Sequence, residues 1–203
     1  CIFALKKVVS FTLMKSTLFY SKILLFGEYG IIKDSKGLAI PYNSYNGTLK
    51  KVPLSEQNKE QEQSNSSLAK YFVYLSEITQ GEAPLVQFDM ERLSEDIAQG
   101  MYFDSSIPQG YGVGSSGALV AAIYDTYAID KIEATETLTR DKLLRLKEIF
   151  SLMESFFHGK SSGLDPLNSY LSIPILINSS NLIETTGIPT PYEEGKGAVF
   201  LLD

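Results

Sequence analysis

Apolar and polar positions fall in blocks along this chain, and the period of the pattern changes from block to block. Leu18 to Phe26 is dense in apolar and aromatic residues and predicts a strand that Gly27 ends. After Ile31-Ile32 and a turn at Asp34-Ser35-Lys36-Gly37, the run Leu38-Ala39-Ile40-Pro41 predicts a short strand, and Tyr45 to Val52 another. Ser55 to Ser67 is almost wholly polar and predicts an exposed loop. Leu68, Phe72 and Leu75 share one helical face, so a helix is expected from Leu68 to Ile78. Met90 to Ala98 predicts a second helix closed by Gly100, and Met101-Tyr102-Phe103 opens a short strand. Ala118 to Ile123 is an apolar, helix-like run, and Thr139 to Phe157 carries the stripe of a long amphipathic helix. Leu171 to Ile177 and Gly197 to Leu202 predict strands, the last ending in mid-element at Asp203, so the chain is expected to be truncated there. The order of elements predicts an α+β fold with a mixed or antiparallel sheet, and no internal repeat is evident.

Between the strand at Met101 and the helix at Ala118 lies Ile107-Pro108-Gln109-Gly110-Tyr111-Gly112-Val113-Gly114-Ser115-Ser116-Gly117. Glycines at alternate positions tolerate positive φ and let backbone amides converge on an oxygen-rich ligand. The helix that follows aims its unpaired N–H groups at the same place. A plain turn with an N-cap needs one such residue, not six. The dinucleotide fingerprint fits formally over residues 112–117, but it should follow a buried strand, and Asp104 to Gln109 is polar and broken by proline. The nucleotide-triphosphatase loop needs a closing Lys-Ser or Lys-Thr pair, and no lysine lies between Met101 and Asp130. The reading that remains is a phosphate cradle of another kind.

Composition narrows the setting. With 203 residues, 44% of them hydrophobic, the chain can bury an ordinary core. A net charge of −6 without a basic stripe speaks against a nucleic-acid surface, and any nucleotide site must be locally positive. One cysteine, Cys1, leaves no internal disulfide framework and predicts a cytoplasmic setting. The apolar run at the start is too short and too broken by lysine to span a bilayer, so no membrane partner is expected. Residues 1–13 read as a non-native or disordered leader before a natural start at Met14-Lys15-Ser16.

Two further segments carry candidate chemistry. In Glu154-Ser155-Phe156-Phe157-His158-Gly159, the histidine lies one helical turn after the glutamate, and Gly159 is expected to end the helix. Ser161-Ser162-Gly163 predicts a tight turn projecting Asp165, which Pro166 should hold extended. In isolation His158 is a partner for the helix C-terminal dipole. The other segment is Lys22 to Tyr29, a lysine on a strand followed by Gly27-Glu28-Tyr29. There is no metal-ligand cluster of His and Cys, and no Ser–His–Asp arrangement.

The pattern Pro108-x-x-x-Gly112-x-Gly114-Ser115-Ser116-x-Ala118 resembles the second motif of the GHMP kinases, with Val113 where the family has leucine and Gly117 where it has alanine. Lys22 to Tyr29 resembles the first motif, Tyr29 replacing a common histidine. Glu154 to Asp165 is similar to the mevalonate kinase pattern, Ser161 replacing a proline. The resemblance implies that residues 14–203 are the amino-terminal, ATP-binding domain of that family, a ribosomal-protein-like α+β fold incomplete at its end, with the ferredoxin-like partner domain missing. It implies transfer of the ATP γ-phosphoryl group to a small-molecule alcohol, first of all mevalonate. Phosphomevalonate, a sugar, or a non-catalytic sensor of the same fold are the alternatives. Pro108, Gly110, Gly112, Gly114, Ser115, Ser116 and Gly117 would hold the ATP phosphates, and Ser116 and Glu154 would carry Mg²⁺. Asp165 would accept the hydroxyl proton, Lys22 would stabilise the negative charge around it, and Glu28 and Tyr29 would shape the acceptor pocket. A homodimer is the assembly this reading leaves open.

Overall fold

The computed structural model describes residues 17–26, 36–179 and 182–185. The expected strand appears as β1 (Phe19–Phe26), antiparallel to β2 (Gly37–Lys51). The two short strands expected over 38–52 are one long strand. Its register against β1 jumps between Tyr20 and Ser21, whose partners are Asn46 and Tyr42, so the polar residues Asn43 and Ser44 lie in a bulge, not a break.

A short 3-10 turn (Leu54–Glu56) leads into α1 (Lys59–Ile78), which replaces most of the expected loop. Asn58 caps it reciprocally with Gln61, and Glu60 and Glu62 sit in the first turn, where the helix dipole favours acids. This polar part of α1 packs through hydrogen bonds. The Asn65 side-chain amide donates to the carbonyls of Ile97 and Met101, and the Ser64 hydroxyl accepts from the Phe103 amide. No apolar stripe is needed for such a contact, which is why the pattern reads as a loop.

Next come β3 (Gln87–Phe88), α2 (Met90–Ala98) and β4 (Met101–Ser105), the last pairing with the far end of β2. α3 (Ser115–Tyr127) is apolar nearly all round and is buried between α4 (Arg140–His158), α5 (Leu164–Leu171), β1 and β2. β5 (Ala128–Ile129) pairs with β3 as a separate two-stranded ribbon. The stripe of α4 buries Leu143, Leu146, Ile149, Phe150 and Met153, as the spacing predicts. Tyr124, Phe150 and Tyr170 meet edge-to-face with centroids 5.0–5.6 Å apart, locking α3, α4 and α5 together.

The strand expected from Leu171 to Ile177 begins later. Leu171 ends α5, and β6 (Ile175–Ser179) pairs with β2 and with β7 (Leu182–Thr185). Asp165 is correspondingly helical, not extended. Pro166 lies in the first turn of α5, where its missing N–H costs nothing. The main sheet runs β1-β2-β6-β7, with β4 also on β2, and every described pairing is antiparallel. The result is the expected α+β class. The strand expected at Gly197 to Leu202 and the leader at 1–13 lie outside the described residues. Among the described residues, no helix is long and apolar enough to cross a membrane.

Candidate active site

The glycine loop runs from β4 to α3 with Gly110, Gly112 and Gly114 at φ of 86°, 66° and 84°. Side chains rarely adopt that conformation, so alternate glycines are what let the chain turn here. A Cβ at Gly110 or Gly112 would meet nothing within 4 Å, so both backbones face open space. Gly114 is the N-cap of α3, and no side chain caps that helix. The first-turn amides of Ser115 and Ser116 therefore form, with the loop, the kind of backbone cradle that suits phosphate. Pro108 sits half-buried ahead of the glycines.

β1 is stitched to this loop. The Lys22 amide donates to the Val113 carbonyl at 3.0 Å, which draws the Lys22 side chain alongside Gly114. From there its ammonium reaches Asp165 Oδ1 at 3.1 Å, with side-chain exposures of 13% and 32%. Asp165 stands in the first turn of α5, where the helix dipole favours a carboxylate.

A second pair lies beside the first. The Ser116 hydroxyl lies 3.1 Å from Glu154 Oε1 and 3.1 Å from His158 Nε2. Glu154 is only 3% exposed, and its other oxygen accepts from the Ser161 hydroxyl. Burial pushes the Glu154 carboxyl above its ordinary range; the Ser161 bond pulls it back, the charge of Asp165 raises it again, and Ser116 and His158 lower it. Ser161 also accepts from the Gly163 amide at 3.0 Å, so the hydroxyl that stands in place of a proline ties the turn together itself.

The fold thus gathers Lys22, Gly114, Ser115, Ser116, Glu154 and Asp165. Gly117 has a different place. A Cβ there would come within 2.8 Å of the Asp165 carbonyl carbon and the Pro166 nitrogen, so this glycine permits α3 and α5 to touch and stands behind the cradle rather than in it. Glu28 and Tyr29 lie outside the described residues. Two contributors have no site role in the sequence pattern: His158, whose spacing of four from Glu154 is the available signal, and Ser161, which has none.

The hydroxyl and carboxylate of Ser116 and Glu154 are hard oxygen donors and fit Mg²⁺. Among the described residues no group of three or more His, Cys, Asp or Glu forms a complete metal cage. Two protein oxygens beside a glycine loop and an uncapped helix N-terminus are compatible with how Mg²⁺ is commonly held, by few side chains together with substrate phosphates.

The GHMP kinases N terminal domain family matches residues 85–172. No curated protein matches the sequence significantly. Among solved structures, the chain is similar to mevalonate kinase from methicillin-resistant Staphylococcus aureus MRSA252, at 20% identity over 84% of this chain and 54% of that one, TM-score 0.45. It is similar to the Methanococcus jannaschii mevalonate kinase at 17% identity, over 86% and 56%, TM-score 0.47. The L. major mevalonate kinase in complex with R-mevalonate gives 17%, 83%, 51% and 0.47 in the same order. The chain spans about half the length of these structures. The stretch that the family matches, 85–172, takes in the glycine loop, Ser116, Glu154 and Asp165.

Proposed function

We propose that this chain carries the phosphoryl-transfer residues of an ATP-dependent small-molecule kinase whose acceptor is an alcohol, with mevalonate the first candidate. The observation that carries the reading is the Lys22–Asp165 contact at 3.1 Å beside Gly114, at the mouth of an uncapped helix N-terminus. A solvated surface pair needs no such neighbours. Phosphoryl transfer asks mainly for alignment and charge stabilisation, and these residues offer both.

In this reading the amides from Gly110 to Ser116 bind the ATP phosphates, and Asp165 orients the acceptor hydroxyl. As the acceptor oxygen forms its bond to the γ-phosphorus, Asp165 takes the hydroxyl proton, the γ-phosphorus–oxygen bond to ADP breaks, and ADP leaves with that electron pair. Lys22 Nζ, held against Asp165, offsets negative charge on the acceptor oxygen and on the transferred group. Mg²⁺, held by Ser116 and Glu154, would neutralise the charge on the phosphate oxygens. The motif Glu154 to Asp165, similar to the mevalonate kinase pattern, favours mevalonate among the alcohols.

A coupled ADP-release screen of the full-length protein against mevalonate, phosphomevalonate, galactose and homoserine tests this. Turnover with mevalonate above the others is the expected result. Turnover with a different acceptor would move the substrate, and ADP release with none of the four would remove the proposal.

A further inference from the structure

His158 is the single histidine of this sequence, and it ends α4 with its Nε2 3.1 Å from the Ser116 hydroxyl oxygen. Its ring is exposed, so core packing does not account for its position. The hydroxyl has one proton and two candidate acceptors, Glu154 Oε1 and His158 Nε2, both at 3.1 Å. Glu154 already accepts from Ser161 at its other oxygen. If Glu154 Oε1 also took the Ser116 proton, neither carboxylate oxygen would keep its full capacity for a cation. A proton donated to His158 instead leaves Glu154 Oε1 open and turns the serine lone pairs away from the ring.

We infer that His158 is a positioning residue for the Ser116–Glu154 pair: its Nε2, 3.1 Å away, accepts the Ser116 hydroxyl proton and so frees the serine oxygen and the glutamate for a divalent cation. The inference rests on the kinase reading above, because it needs the cation that reading places there. It fixes the tautomer, with the ring proton on Nδ1. It also gives Gly159 a purpose beyond ending a helix. At φ 70° this glycine turns the chain directly after His158, so the imidazole sits on the last helical position of α4, one turn from Glu154.

The test is binding of Mn²⁺ in the presence of a non-hydrolysable ATP analogue, followed by electron paramagnetic resonance on the full-length protein, without turnover. His158→Ala removes the acceptor and should weaken Mn²⁺ binding by about 10-fold, the lower end of what outer partners of metal ligands contribute. His158→Gln places an amide oxygen near the same point and should recover most of that loss. The KM for the acceptor alcohol should stay unchanged in both variants, while the Mg²⁺ concentration needed for half-maximal turnover rises only in His158→Ala. Nitrogen-15 spectra of the parent, with the signal assigned by its loss in His158→Gln, should show the Nδ1–H tautomer. A parent that binds Mn²⁺ while His158→Ala binds it equally well overturns the role of His158 and leaves the kinase reading standing. A glutamine variant no better than alanine, or an Nε2–H tautomer in the Mg²⁺-loaded protein, overturns that role in the same way. A parent that binds no Mn²⁺ beside the nucleotide overturns both.

Discussion

At the scale of single residues, two carboxylates in one site are placed for different work. Asp165 is a third exposed, paired with Lys22 and open to an acceptor. If Asp165 is the base of the proposed reaction, Asp165→Asn keeps the shape and removes the base, and turnover should fall by about 10²–10⁴-fold. Nucleotide affinity measured by titration calorimetry should hardly move, and near-normal turnover in Asp165→Asn would falsify the assignment. Glu154 is buried, and burial raises its folded-state affinity for a proton. A carboxyl raised in the folded state adds stability below its unfolded value of about 4.5 and loses it as pH rises through the folded value. As pH rises through that folded value, ionising Glu154 costs stability, partly offset by the Ser161 hydroxyl. Glu154→Gln should raise Tm at pH 7, with the gain shrinking toward pH 4.5, while turnover drops and the Mg²⁺ requirement climbs. A lower Tm at pH 7 would show the charge to be fully compensated by its neighbours.

At the scale of elements, the site depends on how closely α3 and α5 approach. Gly117 is the contact point, because a Cβ there would overlap backbone atoms of Asp165 and Pro166 that cannot rotate aside. Gly117→Ala gains helix propensity but forces α5 outward, and overpacking of this kind typically costs about 1–3 kcal/mol. Chemical denaturation should show that loss, and turnover should fall with it because Asp165 moves with α5. A variant as stable and active as the parent would mean that the two helices separate without penalty. The alternate glycines of the loop and the stripe of α4 were legible in the sequence, since each is set by neighbours within a few residues. The identity of Gly117 as a packing residue was not, because its partner lies on another helix.

At the scale of the whole molecule, a buried polar network away from the site joins the sheet to two helices. Asp96 on α2 pairs with Lys51 on β2 and accepts from the Tyr127 hydroxyl on α3 at 2.6 Å. Arg92 lies over the Tyr127 ring at 5.3 Å, and burial with the Asp96 bond pushes the Tyr127 hydroxyl far above its ordinary range. Asp96→Ala would leave the partly buried Lys51 ammonium with only the Gln99 side-chain oxygen at 3.5 Å, and the buried Tyr127 hydroxyl with only the weakly accepting Met101 sulfur at 2.9 Å. The expected cost is about 3 kcal/mol, the low end for a broken buried pair because Lys51 can still reach water. Urea denaturation of the full-length protein measures it, with binding of an ATP analogue to the folded fraction unchanged. A midpoint equal to the parent's would show that water replaces the lost partner.

The sequence by itself determined the glycine-permitted turns of the loop before α3, the Glu154–His158 spacing on α4 and the α+β class, although α3 begins at Ser115, three residues before its apolar run. These follow from glycine conformation, helix ends and apolar periodicity, which act over one or two turns of chain. Only the tertiary structure decided that Lys22 meets Asp165, that Ser161 holds Glu154, and that α1 begins at Lys59 on a polar face. Those outcomes rest on hydrogen bonds and ion pairs between elements far apart in sequence. Such contacts leave no periodic trace in a chain, because a single well-placed polar group satisfies them wherever the fold happens to bring it.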